Sequence, residues 1–294
     1  MAKRYIAVDV GGISIKYGVL DENGTFLAFG KTDTPEAGGQ AIIETVFSLI
    51  RELLATCDAQ GVCMATAGLV DPVSGVLFYA PDTIRDYAYT NWKTLVEEAF
   101  HLPCEVDNDV NCAGIAEYRA GAAKNAGSCL MMTIGSHIGG CFMIDGKIWR
   151  GHALSACQIG YLPMYGSMFD TLASADALLR KVMAKKNNLG LHWTGEQIFE
   201  EAMKGDRECV QAIDEMCDVL GRGISTVCYI INPEIVVLGG GIMEQHHYIM
   251  PRIRQSMEKY LMDQITTTSF VASASHGSKA PLLGAFFAFR EIHG

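Results

Sequence analysis

One short pattern occurs twice in the chain: an apolar strand, a glycine turn and a second apolar strand. The first copy runs from Ile6 into Gly11 and Gly12, and the second runs from Met131 into the glycine-rich segment 135–140. Sequence identity between the copies is low, but the shared design at equivalent places indicates an ancient duplication. The pattern therefore predicts two related halves, and 294 residues are enough for two domains.

Strands and helices alternate in both halves, which predicts an α/β protein with helices packed on mixed sheets. The predicted strands are 5–10, 15–20, 25–29, 61–67, 104–107, 129–133, 141–144 and 234–238. The predicted helices are 40–57, 110–121, 174–186, 194–204 and 208–231. Because the chain contains no low-complexity linker, we expect the domain boundary in a helix or tight turn near residue 120.

Composition excludes several classes of function. A net charge of −10 argues against a nucleic-acid partner, because binding to a phosphate backbone requires lysine and arginine. No signal segment and no apolar stretch of membrane-spanning length is seen, so we expect a cytoplasmic protein without a membrane partner. The ten cysteines are scattered and form no CxC or CxxC pair. Reduced, buried thiols are therefore expected, rather than a disulfide framework or a zinc site.

Three glycine turns each follow a strand: Gly11 with Gly12, the segment 135–140, and Gly239 to Gly241. Turns without side chains let backbone N–H groups approach the oxygens of a phosphate group closely. One such turn is weak evidence, because most are only turns. Three of them, two in matching positions, predict two phosphate loops facing a cleft and a third loop near a nucleoside.

Polar residues at two strand ends allow alternative interpretations. Asp9 could orient a Mg²⁺-bound water, or it could bond to its own turn. Lys16 could approach a transferring phosphate, or it could be a solvated lysine. Asp109 follows Asn108 after a strand, where it could be a general base. Spacing alone favours the simpler interpretation, in which Asp109 caps the helix that begins there.

Four motifs occur in the order and spacing of a known family. They are Asp9-x-Gly11-Gly12-x-x-x-Lys16, Asn108-Asp109-x-Asn111, Thr133-Ile-Gly135-x-x-Ile-Gly139-Gly140 and Asn232-Pro233-Glu234-x-x-x-x-Gly239-Gly240-Gly241. With them, the chain from Tyr5 to the closing helix around Leu283-Gly284-Ala285 resembles the ROK-family sugar kinases of the actin/hexokinase superfamily. The resemblance implies a two-domain actin-like ATPase (ribonuclease H-like) fold with a cleft between the domains. It implies a smaller domain of residues 1–117 plus 280–294 and a larger domain of residues 118–279.

The resemblance also implies roles for individual residues. Asp109 would be the catalytic base, while Asn108 and the backbone at Gly68 would line the sugar pocket. The first phosphate loop would contain Asp9, Gly11, Gly12 and Lys16, with Mg²⁺ bound together with ATP and Asp9 as its candidate contact. The second phosphate loop would contain Thr133, Gly135, Gly139 and Gly140. Gly239, Gly240 and Gly241 would lie against the adenosine.

The chain departs from the family pattern at the sugar-binding positions. Gln158 and Tyr161 stand where the family carries glutamate and histidine, and the cysteines of the family's zinc loop are missing. We therefore expect no zinc, and the similar branch is that of the zinc-free β-glucoside kinases. Asp170 is the counterpart of a later sugar-binding glutamate.

The chain also departs from the pattern at the phosphate loops. Ile13 replaces a threonine, and His137 and Cys141 replace glycines. His137 could reach a phosphate, crowd the loop or point outward.

The resemblance implies transfer of the γ-phosphoryl group of Mg·ATP to a sugar hydroxyl, with the 6-OH of a β-glucoside or related hexose as the leading acceptor. Glucose or an N-acylhexosamine comes next. A sugar-binding sensor with weak catalysis is the alternative of another class, because Ile13, His137 and Gln158 depart from the pattern while Asp109 is retained. Homodimerisation is common among such kinases and is permitted by the composition.

Overall fold

A computed structural model describes residues 3–81, 83–186, 193–266 and 270–294. The backbone divides into two compact units. The N-terminal unit consists of Met1–Ala120, Arg150–Ser155 and Lys279–Gly294, and the C-terminal unit consists of Gly121–Trp149 and Ala156–Ser278. Each unit is built around a five-stranded sheet with its own core.

The N-terminal unit begins with a strand meander, as its alternating apolar runs and turns predict. Its strands are β1 (Arg4–Val10), β2 (Ser14–Asp21), β3 (Phe26–Asp33), β4 (Ala59–Thr66), β5 (Leu69–Asp71), β6 (Val76–Tyr79) and β7 (Cys104–Asn108). Its first helices are α1 (Gly39–Leu54), α2 (Trp92–Phe100) and α3 (Asp109–Ala120). The main sheet has the order β3-β2-β1-β4-β7, and β5 and β6 form a separate hairpin.

The C-terminal unit repeats this arrangement. Its strands are β8 (Ser128–Ile134), β9 (Ile138–Ile144), β10 (Lys147–Ile148), β11 (Pro163–Met164), β12 (Ser167–Met168), β13 (Ile235–Gly239) and β14 (Phe270–Ser273). Its helices are α4 (Phe169–Ala173), α5 (Ala175–Lys185), α6 (Gly195–Met203), α7 (Arg207–Ile231), α8 (His246–Tyr260) and α9 (Asp263–Thr266). The main sheet has the order β10-β9-β8-β13-β14.

The two main sheets have the same pattern of strand directions. In each, the first three strands in sheet order pair antiparallel, and the last three run parallel. Since carboxyl ends of parallel strands meet at one edge of a sheet, the loops after β1, β4 and β7 lie together. The loops after β8, β13 and β14 lie together in the same way. The predicted α/β class is confirmed.

The last helix, α10 (Ala280–His293), belongs to the N-terminal unit. It packs against α3 and β4, and Gly284 makes the contact with α3 close: a Cβ at this position would overlap the carbonyl oxygen of Cys112. Phe286 and Phe289 of α10 are fully buried and pack edge-on against Tyr5 of β1. Apolar packing therefore fixes this helix on the N-terminal sheet.

None of the ten cysteines, all of which lie in the described ranges, forms a disulfide; nine of them are buried, and Cys157 is half-buried. Burial raises the pKa of several of these thiols, as for the thiol of Cys217 to about 12. None of the described helices is both long and apolar enough to cross a membrane.

Candidate active site

The carboxyl edge of the N-terminal sheet brings several of the predicted residues together. Register pairs Asp9 with Ala65 and Ala65 with Asp107, so these positions form one row across β1, β4 and β7. One step later along the strands, Asn108 is aligned with the end of β4. The first glycine turn comes directly after β1, Gly68 comes shortly after β4, and Asp109 comes directly after β7.

Asp9 is paired with Lys16, which lies opposite it on β2. The Lys16 Nζ donates to Oδ2 of Asp9 at 2.9 Å, so neither of the simpler alternatives, a bond to the turn or a solvated lysine, describes the pair. Burial raises the pKa of Asp9 against the opposing charge of Lys16. Burial alone would lower the pKa of Lys16, but the carboxylates of Asp9 and Asp109 raise it above its ordinary value.

The second oxygen of Asp9, Oδ1, is buried and has no hydrogen-bond partner among the described residues. A buried acceptor without a partner costs free energy, so this atom calls for a donor. A water of the Mg²⁺ hydration shell is such a donor, because protein-bound Mg²⁺ keeps several waters and uses few carboxylates. The residues present therefore fit a magnesium–nucleotide complex.

The turn after β7 is held by the side chain of Asn108. Its Oδ1 accepts from the N–H groups of Val110 and Asn111, at 2.9 and 3.0 Å, and its Nδ2 donates to the carbonyl oxygen of Gly68 at 2.9 Å. Asn108 is thus the N-cap of α3. The preference for Asp109 as the cap is wrong, because Asp109 is the first residue of the helix, one place too late.

Asp109 keeps one oxygen available. Its Oδ1 accepts from the Asn108 Nδ2 at 2.8 Å and from the Val110 N–H at 2.9 Å, whereas Oδ2 accepts no hydrogen bond from the described residues. The side chain is half-buried. Burial, and to a smaller extent the negative charge of Asp9, raises the pKa of Asp109 to about 7. The hydrogen bond from the Val110 N–H and the positive charge of Lys16 lower it in part. A carboxylate with this pKa can accept a proton near neutral pH.

Asp107 anchors the same turn from the protein interior, a role that sequence reasoning missed. Its Oδ1 accepts from the backbone N–H of Asn108, from Nδ2 of Asn111 and from Nη1 of Arg150, at 2.7, 3.0 and 2.9 Å. Nη2 of Arg150 donates to Oδ2 at 2.6 Å, so the ion pair is bidentate. Arg150 lies 43 residues away in sequence, and no motif indicates it.

Gly68 is glycine for a conformational reason. Its φ is +110°, and a Cβ would overlap the carbonyl oxygen of Tyr79. Ala80, Pro81 and the segment 84–89 line an adjacent cavity of about 650 Å³. Tyr87 anchors this segment: its hydroxyl lies 2.7 Å from Oγ1 of Thr66 and accepts from Nε1 of Trp92 at 2.8 Å.

The carboxyl edge of the C-terminal sheet brings two glycine turns together. Register pairs Thr133, at the end of β8, with Gly239 on β13. Gly240 has a φ of +93°, and a Cβ there would collide with the backbone of Ile134. Gly241 has open space where a side chain would stand, and a Cβ at Gly135 would make only an ordinary contact, 3.9 Å from the carbonyl oxygen of His137. The edge thus presents bare backbone.

Two other predicted glycines lie on β9, where Gly139 pairs with Thr133. Gly140 is needed for packing, because a Cβ there would press on the carbonyl oxygen of Cys157 at 2.7 Å. Packing alone therefore accounts for glycine at position 140, and no bound phosphate is needed to explain it.

The candidate sugar-binding residues of the C-terminal unit lie beside this edge. Gln158 precedes a short 3₁₀ turn and Tyr161 is the last residue of that turn; both are exposed. Gly160 within that turn packs on the carbonyl oxygen of Ile138 and on Cβ of Asp170. Asp170 bonds to the β8–β9 turn: its Oδ2 lies 2.9 Å from Nδ1 of His137, and its Oδ1 accepts from the N–H of Ile138.

Metal-ligating side chains do not gather anywhere in the described ranges: no group of three or more His, Cys, Asp or Glu residues could hold a metal ion.

Comparison with known proteins identifies the family. The ROK family matches residues 5–292, which is nearly the whole chain. The chain belongs to the ROK family. The family and the fold class predicted from the four motifs are confirmed.

Three similar proteins illustrate the range of this family. An uncharacterized protein of Clostridium perfringens is 40% identical over 98% of both chains. A β-glucoside kinase of Klebsiella pneumoniae is 27% identical over 98% of this chain and 96% of its own. The crystal structure of a ROK family glucokinase from Streptomyces griseus, in complex with glucose and AMPPNP, is also 27% identical; it has a TM-score of 0.89 and covers 98% of this chain and 99% of that one.

Proposed function

We propose that this protein is an ATP-dependent kinase that transfers the γ-phosphoryl group of ATP to a sugar hydroxyl. The observation that carries the proposal is Asp109: its pKa is about 7, its Oδ2 accepts no hydrogen bond from the described residues, and the Asp9–Lys16 pair acts on it electrostatically. The relatives named as kinases of glucose and of β-glucosides support the sugar as acceptor. The AMPPNP in the similar glucokinase structure supports ATP as donor.

In this proposal four residues of the N-terminal unit carry the reaction. Asp109 removes the proton of the sugar hydroxyl as its oxygen attacks the γ-phosphorus, because an alkoxide-like oxygen is the better nucleophile. Asn108 fixes the orientation of Asp109, and its amide would bind a second sugar hydroxyl by exchanging one of the four hydrogen bonds that it makes within the protein. Lys16 faces the developing negative charge, and Asp9 would hold a water of the Mg²⁺ that accompanies ATP. That ion would neutralise charge on the polyphosphate.

Each sheet edge carries glycine turns that suit a nucleotide. In the N-terminal unit, Gly11 and Gly12 offer backbone to the phosphates. In the C-terminal unit, the turn from Thr133 to Gly140 would do the same, and Gly239 to Gly241 would lie beside the adenosine. Bare backbone suits both tasks, since N–H groups can then approach the ligand closely.

For the acceptor we propose the 6-OH of a hexose or hexoside, with β-glucosides as the leading class. Gln158 and Tyr161 are exposed beside the C-terminal edge and can hydrogen-bond to a neutral sugar without adding charge. The cavity beside Gly68 offers room for a group attached to the sugar. Glucose and N-acylhexosamines remain the acceptors to compare.

A coupled assay of ADP release separates catalysis from mere sugar binding. Purified protein is supplied with Mg·ATP and a panel of glucose, N-acetylmannosamine, N-acetylglucosamine, cellobiose and aryl β-glucosides. We expect saturable ADP release with at least one hexose or β-glucoside. Binding of a sugar by calorimetry, without turnover on any member of the panel, would instead identify a sugar-binding sensor.

The pH dependence of kcat is expected to follow Asp109. The base must be ionised to accept a proton, so kcat should fall as the pH decreases through about 7, and should be level above it. The measurement is kcat at saturating ATP and sugar from pH 5.5 to 9. A level kcat down to pH 5.5 would show that the base ionises as an ordinary carboxylate does, and would contradict the raised pKa of Asp109.

Arg150→Lys is expected to reduce kcat about tenfold with little change in KM for ATP. Lysine keeps the charge but cannot make both bonds to Asp107, so the turn that carries Asp109 loses its second anchor. The matched control is Arg119→Lys, which alters an exposed ion pair with Glu291 in the same unit. We expect kcat of the control to equal that of the wild type; an equal loss in both variants would contradict the positioning role.

A further inference from the structure

One ion pair of the C-terminal unit lies at the sheet edge that the proposed function assigns to the nucleotide. His137 lies in the turn between β8 and β9, and Asp170 belongs to the first turn of α4. Asp170 binds this turn twice, through the ring of His137 and through the backbone N–H of Ile138. One carboxylate therefore fixes both the backbone of the turn and the direction of the imidazole ring.

The contact with Asp170 determines which ring nitrogen of His137 remains available. An ionised carboxylate only accepts hydrogen bonds, so Nδ1 must carry the proton that points to Oδ2 of Asp170, 2.9 Å away. Nε2 is then left on the opposite side of the ring, and none of the described residues bonds to it. The side chain is 59% exposed, so Nε2 is accessible to a ligand.

The position of His137 is the edge at which the nucleotide would bind. The turn that carries it follows β8, and Gly240, from the loop after β13, packs on Ile134 at the start of that turn. In open α/β sheets, ligands bind outside the carboxyl ends of the parallel strands. Residue 137 has no positive φ, so a histidine is accommodated without backbone strain.

We propose that His137 binds an oxygen of the ATP polyphosphate through Nε2–H, and that Asp170 is the residue that positions it. This inference rests on the proposed function, because it requires that ATP binds at this edge. It assigns to Asp170 a task on the nucleotide side, in addition to any contact with sugar. It also explains how the predicted phosphate loop can carry the side chain of His137 without losing the ability to bind phosphate.

Protonation of His137 controls this contact. The hydrogen bond to Asp170 raises the pKa of His137 above its ordinary value, and the negative charges of Asp170 and Asp176 raise it further. Burial and the positive charge of Arg180 act in the opposite direction. The protonated ring offers Nε2–H to a phosphate oxygen. The neutral ring, with its proton on Nδ1, turns Nε2 into an acceptor that a phosphate oxygen avoids. The contribution to ATP affinity is thus present at low pH and is lost as the pH rises through the pKa of His137.

The test is calorimetric titration of Mg·ATP and of adenosine into the wild type and His137→Ala, without sugar. We expect His137→Ala to weaken Mg·ATP binding about tenfold at pH 6.5, the scale of one charge-assisted hydrogen bond, and to leave adenosine binding unchanged. The ratio between the two proteins should shrink towards one by pH 9. Equal Mg·ATP affinities at pH 6.5, or equal losses for ATP and adenosine, would overturn the inference.

His137→Asn separates phosphate binding from support of the turn. The asparagine amide can still donate to Asp170 but has no atom in the place of Nε2. We expect it to lose as much ATP affinity as His137→Ala; wild-type affinity in this variant would mean that His137 only supports the turn. His101→Asn, at an exposed histidine with a φ of +54°, is the matched control, since asparagine tolerates that conformation.

Measurements on the wild type separate a failure of the inference about His137 from a failure of the proposed function. If it binds ATP and phosphorylates a sugar while His137→Ala binds ATP equally well, only the inference about His137 fails. If the wild type does not bind ATP at all, the proposed function fails and the inference fails with it.

Discussion

Asp109→Asn is expected to lower kcat by about a thousandfold or more while leaving the affinity for ATP nearly unchanged. Removal of a positioned general base typically costs two to four orders of magnitude in rate. The amide cannot accept a proton near neutral pH, but its oxygen can still accept from Asn108 and Val110, as Oδ1 of Asp109 does. The turn should therefore keep its geometry. The measurement combines steady-state kinetics with titration of Mg·ATP.

Thermal unfolding provides the internal check on this variant. The raised pKa of Asp109 means that its ionised form is disfavoured in the folded protein, so the wild type loses stability as the pH rises from about 4 towards 7. Asp109→Asn removes that charge, and we expect a melting temperature at pH 8 at least equal to that of the wild type. Asp58→Asn, at an exposed aspartate, is the control and should change neither rate nor stability. A substantial residual kcat in Asp109→Asn would show that another group is the base.

Among the Gly→Ala substitutions of this chain, we expect Gly284→Ala to cause the largest loss of stability. A Cβ at this position overlaps the carbonyl oxygen of Cys112, a backbone atom that cannot turn aside. To accommodate it, α10 must move away from α3, which opens the packing of Phe286 and Phe289 against Tyr5. We expect a cost of about 3 kcal/mol or more, since overpacking and lost core contacts act together.

The matched control is Gly195→Ala, the same substitution at the first residue of α6. No atom lies within 4 Å of the added methyl group there, so we expect little change or a slight gain in stability. Both variants are compared with the wild type by urea-induced unfolding, followed by tryptophan fluorescence. If Gly284→Ala proved as stable as Gly195→Ala, the close contact between α10 and α3 would be contradicted.

Much of the fold could be predicted from the sequence because local patterns and tertiary packing agree. Most bounds of the predicted long helices lie within about three residues of those in the structure, as for 40–57 against Gly39–Leu54. The repeated strand–turn–strand pattern corresponds to two sheets with the same order and directions. Helix α8 was missed, although it spans His246–Tyr260, because it opens with two histidines and contains Pro251.

The candidate site was predictable only in part. Glycine turns and strand-end carboxylates carry a signal in the sequence, and Asp9, Lys16, Asn108 and Asp109 lie at one sheet edge as the motifs imply. The bond of Asn108 to Gly68 spans 40 residues, and that of Arg150 to Asp107 spans 43. Such contacts are created by the crossing of distant segments, and no local pattern encodes them. The pairing of His137 with Asp170 is of the same kind.

The departures from the family pattern do not all have the same consequence. Ile13 is 71% exposed at the tip of the first glycine turn, where its backbone carbonyl accepts from the N–H of Thr34. The hydroxyl of Thr34 donates to the carbonyl oxygen of Gly11 at 2.7 Å. This turn is thus stabilised from β3 and its following residue, without a hydroxyl at position 13.

The central claim is that the γ-phosphoryl group of ATP is transferred to a sugar hydroxyl at the site of Asp109. The most direct measurement is ³¹P NMR of the wild type with equimolar Mg·ATP and the best sugar of the panel, run beside Asp109→Asn. The account predicts loss of the γ-phosphate signal and matching growth of a sugar phosphomonoester, with almost no change for the variant. Conversion of ATP to ADP and inorganic phosphate without a sugar phosphate, or equal product with Asp109→Asn, would contradict it.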